Sequence, residues 1–531
     1  MRPVVAMLAA AAVAASSLTA TSAPVGAKTS ERSDDDRTAI AWGPCDDPLL
    51  REFGAECGTL SVPLDYSDDG EGQVTLALSR VRHTVPDKDY QGIMLTNPGG
   101  PGGSGLIYSL LGGFIPGGAG AAYDWIGFDP RGVGSSEPAL SCIPDYFVGP
   151  RPDYVPSSPR IERLWLARSR AYAHACDING GELLENLRTV DNVRDMNRIR
   201  RALGEPKLNF YGFSYGTYLA QVYATLFPSR VGRMVLDSNV DPTRVWYGAN
   251  LDQDHAFETV IQAFFDWVAK YDSVYHLGAT GDVVEKGYYT ALDDLRAKPV
   301  GPLGPAELPD AMLLAGYVQF LWPDLAQALS DLVVRGDASA VTAWYEAIDA
   351  PGDDNGYAMY LATICTDGKW PTWRVQREDA FRIAADAPFF TWGNTWFNAP
   401  CTFWAEHGRQ PVDVDGAGVP PVLLVGETLD AATPFTGSLE VRRRFPQSVL
   451  LAEPGGTSHA TTLSGNECVD GVIATYLATG TLPARRPGDG PDLTCQPLPE
   501  PVPVTQAASG GGGGTSARTH LRRQLLEGLV G

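Results

Sequence analysis

Positive charge is scarce in this sequence. Its 531 residues hold 41 Lys and Arg against 63 Asp and Glu, a formal net charge of −22. A surface this acidic repels the phosphates of nucleic acid, so no nucleic-acid partner is expected. The acidic net charge instead fits a protein that is soluble in an extracellular setting.

Long apolar runs are also missing beyond the first residues. The unbroken run 4–15 follows Arg2 and precedes small residues up to Ala27. It is too short for a comfortable membrane span, and the pattern predicts a secretory signal peptide over 1–27, cleaved near Ala23 or Ala27. The alternative is an uncleaved N-terminal anchor. We predict a secreted, extracellular protein without stable membrane association; its oligomeric state stays open.

Metal-binding spacings are lacking as well. The seven histidines contain no H-E-x-x-H, and none of the eight cysteines forms C-x-x-C. These absences disfavour a metallohydrolase, a zinc ribbon and a thioredoxin-like protein, and we expect no metal and no cofactor. The cysteines fit an exported protein, with free thiols as the alternative. Pairing of nearest neighbours, which closes local loops, predicts the disulfides Cys45–Cys57, Cys142–Cys176, Cys365–Cys401 and Cys468–Cys495.

One stretch organises the rest of the chain. Apolar residues with strand character from Leu208 are broken by Gly212-Phe-Ser-Tyr-Gly216, and a helical pattern follows until Pro228. A strand, a G-x-S-x-G turn and a helix form the nucleophile elbow of an α/β-hydrolase. Ser214 is therefore the candidate nucleophile, and a purely structural turn is the alternative.

A glycine-rich loop, Asn97–Gly105, follows a predicted strand at 93–95. Its backbone N–H groups have few side chains to shield them, which suits either an oxyanion hole or a phosphate loop. The Lys-Ser/Thr of a Walker motif is missing, and the loop precedes Ser214 by about 110 residues, as expected for an oxyanion loop. We predict oxyanion donors at Gly99, Gly100 and Tyr215.

Alternating strand and helix patterns indicate an α/β fold with a mostly parallel central sheet flanked by helices. The alternation stops between 241 and 415, a region that holds nine of the twelve tryptophans and apolar residues at helical spacing. We interpret this region as a largely helical cap insertion over the active site, although its tryptophans can simply fill its own core. The predicted division is a signal peptide (1–27), a polar leader (28–40), the core (41–240), the cap (241–415), the rest of the core (416–499) and a flexible Gly-rich tether and tail (500–531).

Two further catalytic residues are expected after the cap, in the order acid then histidine. Only His459 and His520 follow the resumed sheet pattern, and His520 lies beyond the glycine tether. His459 is therefore the predicted base. The preceding loop offers Glu427 and Asp430, and Asp430 is favoured because it lies further out, where it can turn towards the histidine.

Several motifs together are specific to one family. The chain resembles the secreted actinobacterial tripeptidyl aminopeptidases, relatives of the prolyl iminopeptidases among α/β-hydrolase serine peptidases, from about Trp42 to Cys495. The matching stretches are Asn97–Gly105, Phe128–Gly134, Gly212–Tyr218, Asn250–Asp254, Cys365–Asp367, Lys369–Pro371, Asp430–Pro434 and Ser458–His459. The resemblance implies a triad of Ser214, Asp430 and His459, and release of tripeptides from peptides with a free N-terminus.

Such an enzyme needs carboxylates in its cap to hold the substrate ammonium. The candidates are Asp367, Glu406, Asp252 and Glu258. Where the family carries a glutamate before Cys-Thr-Asp, this chain has Ile364. A carboxylesterase using the same triad, and an inactive binding protein that uses the cap for recognition, are the competing hypotheses.

Overall fold

The computed structural model describes residues 40–67, 72–405 and 408–503. The predicted signal peptide, the leader before Ile40, Glu406 and the tail beyond Pro503 lie outside the described residues. Within those ranges, no helix has the length and apolar character needed to cross a membrane.

A single twisted sheet contains every named strand of the described residues. The strands are β1 (Gly43–Pro44), β2 (Glu56–Pro63), β3 (Gln73–Val81), β4 (Ile93–Asn97), β5 (Asp124–Phe128), β6 (Leu208–Phe213), β7 (Val231–Asp237), β8 (Leu423–Glu427), β9 (Val449–Glu453) and β10 (Leu493–Thr494). Their spatial order is β1-β2-β3-β5-β4-β6-β7-β8-β9-β10. The pairs from β1 to β5 along that order are antiparallel, and all pairs from β5 to β10 are parallel.

The α-helices connect the strands or build the insertion between β7 and β8. Outside the insertion they are α1 (Pro48–Glu52), α2 (Pro159–Gly180), α3 (Thr189–Ala202), α4 (Tyr215–Leu226), α14 (Thr436–Arg444) and α15 (Glu467–Thr479). Within the insertion they are α5 (Tyr247–Lys270), α6 (Asp272–Tyr275), α7 (Gly281–Ala297), α8 (Glu307–Tyr317), α9 (Trp322–Arg335), α10 (Ser339–Asp349), α11 (Asn355–Asp367), α12 (Trp373–Ile383) and α13 (Thr391–Asn398).

Apolar layers cover both faces of the sheet. Val193 of α3 and Leu219 of α4 belong to one layer, and Ile473 of α15 belongs to the other. The central strand β6 is buried along its whole length, as expected for a parallel strand covered on both faces. The predicted fold, a mostly parallel sheet flanked by helices, is confirmed.

The insertion has a hydrophobic core of its own. Phe264, Trp267 and Trp322 are among its fully buried side chains, so many of its aromatic residues serve packing. The prediction of a largely helical insertion is confirmed, since α5 to α13 fall between β7 and β8. Beyond it, Glu500 forms an ion pair with Lys270 of α5, and the Pro501 carbonyl accepts a hydrogen bond from Trp267.

The structure confirms all four predicted disulfides. The bonds join Cys45 to Cys57, Cys142 to Cys176, Cys365 to Cys401 and Cys468 to Cys495. No free cysteine is found in the described part of the chain. Each bridge closes a short loop, the longest spanning 36 residues.

Candidate active site

Ser214 lies at a sharp turn between β6 and α4. Its backbone has φ 52° and ψ −124°, a strained conformation for a residue with a side chain. The flanking glycines permit the turn, because neither position has room for a side chain. A Cβ on Gly212 would lie 2.8 Å from the Gly216 carbonyl oxygen, and a Cβ on Gly216 would lie 2.7 Å from the Asn97 carbonyl oxygen. The serine is held at the carboxyl end of a central parallel strand, where α/β proteins bind ligands.

The glycine-rich loop passes directly beside this serine. A Cβ on Gly99 would lie 2.8 Å from Ser214 Cβ and 3.1 Å from the Tyr215 nitrogen, so only glycine fits there. The Gly99 N–H donates to Asn97 Oδ1 at 3.0 Å. The N–H groups of Gly100 and Tyr215 are therefore the two that can serve an oxyanion, and that of Tyr215 belongs to the first turn of α4, where N–H groups lack helical partners.

His459 and Asp430 form a buried pair on the loops after β9 and β8. The imidazole Nδ1 lies 2.9 Å and 3.0 Å from the two Asp430 oxygens. Burial opposes a charge on the ring, but the Asp430 carboxylate raises the pKa of His459 above its ordinary value. The pair can thus hold one imidazole tautomer and stabilise the imidazolium.

Asp430 is itself fixed by its own loop. Its Oδ1 accepts the backbone N–H groups of Ala432 and Thr433 at 2.9 Å and 3.0 Å, and its Oδ2 accepts the Thr433 hydroxyl at 2.8 Å. Thr433 was not among the predicted site residues, although it lies within the Asp430–Pro434 motif.

The second imidazole nitrogen faces no partner among the described residues. His459 Nε2 is buried without a hydrogen bond, and none joins it to Ser214 Oγ. Catalytic hydrogen bonds of this kind often tighten only when substrate binds. The free nitrogen is the one that must accept a proton in a hydrolytic reaction.

The cap closes over the histidine. The Tyr317 carbonyl at the end of α8 accepts the His459 N–H at 2.7 Å, and the two rings meet edge to face at 5.7 Å. Trp246, the residue before α5, packs against Tyr215 with ring centroids 5.8 Å apart. These contacts leave His459 only 1% exposed.

A cleft between the elbow and the cap opens at Ser214. Its cavity volume is about 60 Å³. Its lining includes Gly100, Ser214, Trp246, Asn250, Asp252 and Tyr360. Cap residues therefore contact whatever reaches the serine. In the described part of the chain, no group of three or more His, Cys, Asp or Glu is placed to hold a metal ion.

Three of the four carboxylates predicted to bind an ammonium already have strong partners. Asp367 accepts the Thr189 N–H and hydroxyl at 3.0 Å and 2.5 Å, and burial raises its pKa to about 6. Asp252 pairs with Arg244 at 2.7 Å. Glu258 accepts the Phe389 N–H at 3.0 Å.

The fourth candidate, Glu406, lies outside the described residues. Ile364, the departure from the family pattern, is fully buried in the apolar layer on one face of the sheet. Its side chain does not line the cleft at Ser214. Ile364 therefore serves packing.

Three buried carboxylates, Asp237, Glu427 and Glu453, lie at the ends of the strands next to the histidine loop, and two of them accept N–H groups of that loop. Glu427 accepts the Ser458 N–H at 2.6 Å, and Asp237 accepts the Thr462 N–H at 2.9 Å. Burial raises the pKa of Asp237 to about 6, that of Glu427 to about 7 and that of Glu453 to about 8. These groups hold protons in the folded protein at a pH where the unfolded chain has lost them.

This cluster predicts a pH dependence of stability. Stability conferred by raised carboxyl pKa values is fully present below the unfolded values and is lost as the pH rises through the folded values. For Glu453, whose pKa moves from 4.5 to about 8, the free energy of unfolding should fall between those pH values. Urea unfolding of Ser214→Ala at pH 5 and pH 8, with and without Glu453→Gln, measures the difference. A pH dependence unaltered by Glu453→Gln would contradict the expectation.

The sheet, the strained serine turn and the His–Asp pair define a serine hydrolase of the α/β-hydrolase fold. Family models agree: residues 92–277 match the alpha/beta hydrolase fold and residues 387–495 match TAP-like protein. The chain is 41% identical over 482 residues to tripeptidyl aminopeptidase of Streptomyces lividans, covering 88% of each chain. The chain belongs to the tripeptidyl aminopeptidase family and is a serine peptidase.

More distant relatives carry different names. Serine protease Hip1 of Mycobacterium tuberculosis is 33% identical, with 84% of this chain and 89% of that protein covered. Carboxylesterase B of the same species is 30% identical, with 83% and 88% covered. The family thus includes relatives named for peptide and for ester hydrolysis.

Proposed function

We propose that Ser214, His459 and Asp430 are the catalytic triad of a secreted exopeptidase that releases tripeptides from free N-termini. The observation that carries this proposal is the contact of Asp430 with Nδ1 of His459, which leaves Nε2 without a partner among the described residues, in a fold that holds Ser214 in a strained turn. Such a pair is what a serine nucleophile needs for activation.

The reaction follows from these positions. Ser214 Oγ attacks the scissile carbonyl as His459 Nε2 takes its proton, and the N–H groups of Gly100 and Tyr215 stabilise the oxyanion. The imidazolium then protonates the leaving amine, which departs and leaves an acyl-enzyme. Water, deprotonated by His459, hydrolyses the ester and restores the serine.

Release of tripeptides and secretion have separate support. The Streptomyces lividans relative is named a tripeptidyl aminopeptidase. Cap residues line the cleft at Ser214, which favours binding of chain ends over the interior of folded proteins. The four disulfides and the predicted signal peptide favour an oxidising, extracellular setting.

Tripeptidyl p-nitroanilides with free and with acetylated N-termini provide the test. We expect kcat/KM to be at least about tenfold higher for the free form, because a charge-assisted hydrogen bond contributes about 1.5–3 kcal/mol. Dipeptidyl and tetrapeptidyl anilides are the length controls. Equal cleavage of free and blocked forms would exclude an exopeptidase. Turnover of p-nitrophenyl acetate without amide cleavage would favour the esterase suggested by the carboxylesterase relative.

A further inference from the structure

Asp254 on α5 is a buried carboxylate without a cation. It is 1% exposed, and among the described residues no Lys, Arg or His lies within ion-pair distance of it. Burial raises its pKa to about 8, and nearby Asp252 adds to the rise. Burial therefore favours the neutral acid, and a positive group that joins it stabilises the carboxylate form.

Amide side chains hold this carboxylate in one orientation. Asn394 Nδ2 donates to Asp254 Oδ1 at 2.8 Å, Asn398 Nδ2 donates to Asn394 Oδ1 at 2.8 Å, and the Tyr360 hydroxyl donates to Asn398 Oδ1 at 2.9 Å. In the described part of the chain, Asp254 Oδ2 accepts no hydrogen bond. The network therefore positions the acid and leaves one oxygen for another donor.

A small pocket lies next to Asp254. Asp254, Asn250, Asn394 and Asn398 line a small pocket with a cavity volume of about 20 Å³. A water needs about 10–15 Å³ of such space, and an ammonium group is of similar size. The pocket thus has room for one small hydrogen-bond donor.

This pocket adjoins the cleft at Ser214 through one residue. Asn250 lines both spaces, and its Nδ2 is buried without a hydrogen-bond partner among the described residues. Asp254 lies one turn further along α5, about 6 Å away along the helix axis. A peptide that extends from the serine past Asn250 can offer a carbonyl to Nδ2 and its terminus to Asp254.

We propose that Asp254, with Asn250, forms the subsite that binds the free α-ammonium of the peptide substrate. The proposal rests on the exopeptidase function proposed above and gives it a specificity-determining residue. We expect the position of the acid beyond Asn250 to set the length of the released peptide, because the ammonium then lies a fixed number of residues from the scissile bond.

Two other carboxylates of the cap, Asp252 and Glu258, are less suited to the task. Asp252 lines the cleft but pairs with Arg244 through both oxygens, at 2.7 Å and 2.8 Å. Glu258 lines neither space. Asp254 alone among these three combines burial, a missing cation and a pocket of its own.

Asp254→Asn keeps the shape of the side chain and removes its charge. The test compares kcat/KM of the full chain for a tripeptidyl p-nitroanilide with a free N-terminus and for p-nitrophenyl acetate, which has no amine. The ratio of the two should fall about 10- to 100-fold, mostly through KM. Asp266→Asn, an exposed position on the same helix, is the matched control and should retain the wild-type ratio. Labelling of Ser214 by a fluorophosphonate verifies folding.

The outcomes separate the two proposals. If the wild type does not prefer free over acetylated peptides, both proposals fail. If it does and Asp254→Asn keeps that preference, only the Asp254 subsite is wrong. Should the amide variant not fold, Asp254→Ser, which can still accept the Asn394 hydrogen bond, repeats the measurement under the same criteria.

Discussion

Replacement of Ser214 by alanine is expected to lower kcat for tripeptidyl anilides by about 10⁶-fold, as for a triad serine removed elsewhere. The remaining rate would come from the oxyanion donors and substrate binding alone. The turn itself should survive, because Gly212 and Gly216 carry its close backbone contacts. Alanine has the same Cβ as serine, so the strain at φ 52° is unchanged.

Fluorophosphonate labelling provides a second measurement of this variant. The wild type should be labelled at Ser214 and Ser214→Ala should not. Ser135→Ala, at an exposed serine whose hydroxyl makes no hydrogen bond to a described residue, should be labelled and active like the wild type. Labelling that persists in Ser214→Ala would place the nucleophile at another residue.

Local chemistry explains why much of the fold was predictable. The elbow depends on glycines two residues before and after Ser214, and its strand and helix show their own periodicities. The disulfides were predictable because each joins neighbours along the chain. Both features are fixed by residues close in sequence, so a single chain is enough to recognise them.

The proposed ammonium subsite could not be predicted from the sequence because it depends on which way a helix faces. Asp252 and Asp254 are two residues apart on α5 and therefore point in different directions. The sequence does not reveal that Asp252 meets Arg244 while Asp254 turns into the cap and meets Asn394. Asp254 and Asn394 are 140 positions apart, so no local pattern links them.

Local sequence patterns were also insufficient to identify the contacts of the oxyanion loop and of the cap. Gly99 and Gly100 were equivalent candidates until the Gly99 N–H was seen to bond Asn97 Oδ1. The contact of Tyr317 with His459 joins residues 142 positions apart, and no local pattern marks it. Pairing, burial and close approach are properties of the folded chain.

Asp430→Asn is expected to lower kcat by about 10⁴-fold with little change in KM. The reason lies in the hydrogen bonds around this side chain. Oδ1 accepts two backbone N–H groups, so the oxygen of an asparagine must take that place. Its NH₂ group then points to His459 Nδ1 and donates to it. This holds the imidazole with its proton on Nε2, the nitrogen that must accept one from Ser214.

Glu427→Gln is the matched control, because Glu427 is the other acid in the same loop. It bonds the Ser458 N–H and the Thr461 hydroxyl at 2.6 Å and 2.7 Å and makes no hydrogen bond to the imidazole. A glutamine there loses at most part of the support of the loop, so we expect no more than about a tenfold loss of activity. If Glu427→Gln lost as much activity as Asp430→Asn, the orienting role could not be assigned to Asp430. A loss confined to Asp430→Asn would follow from tautomer control, since only that carboxylate contacts Nδ1.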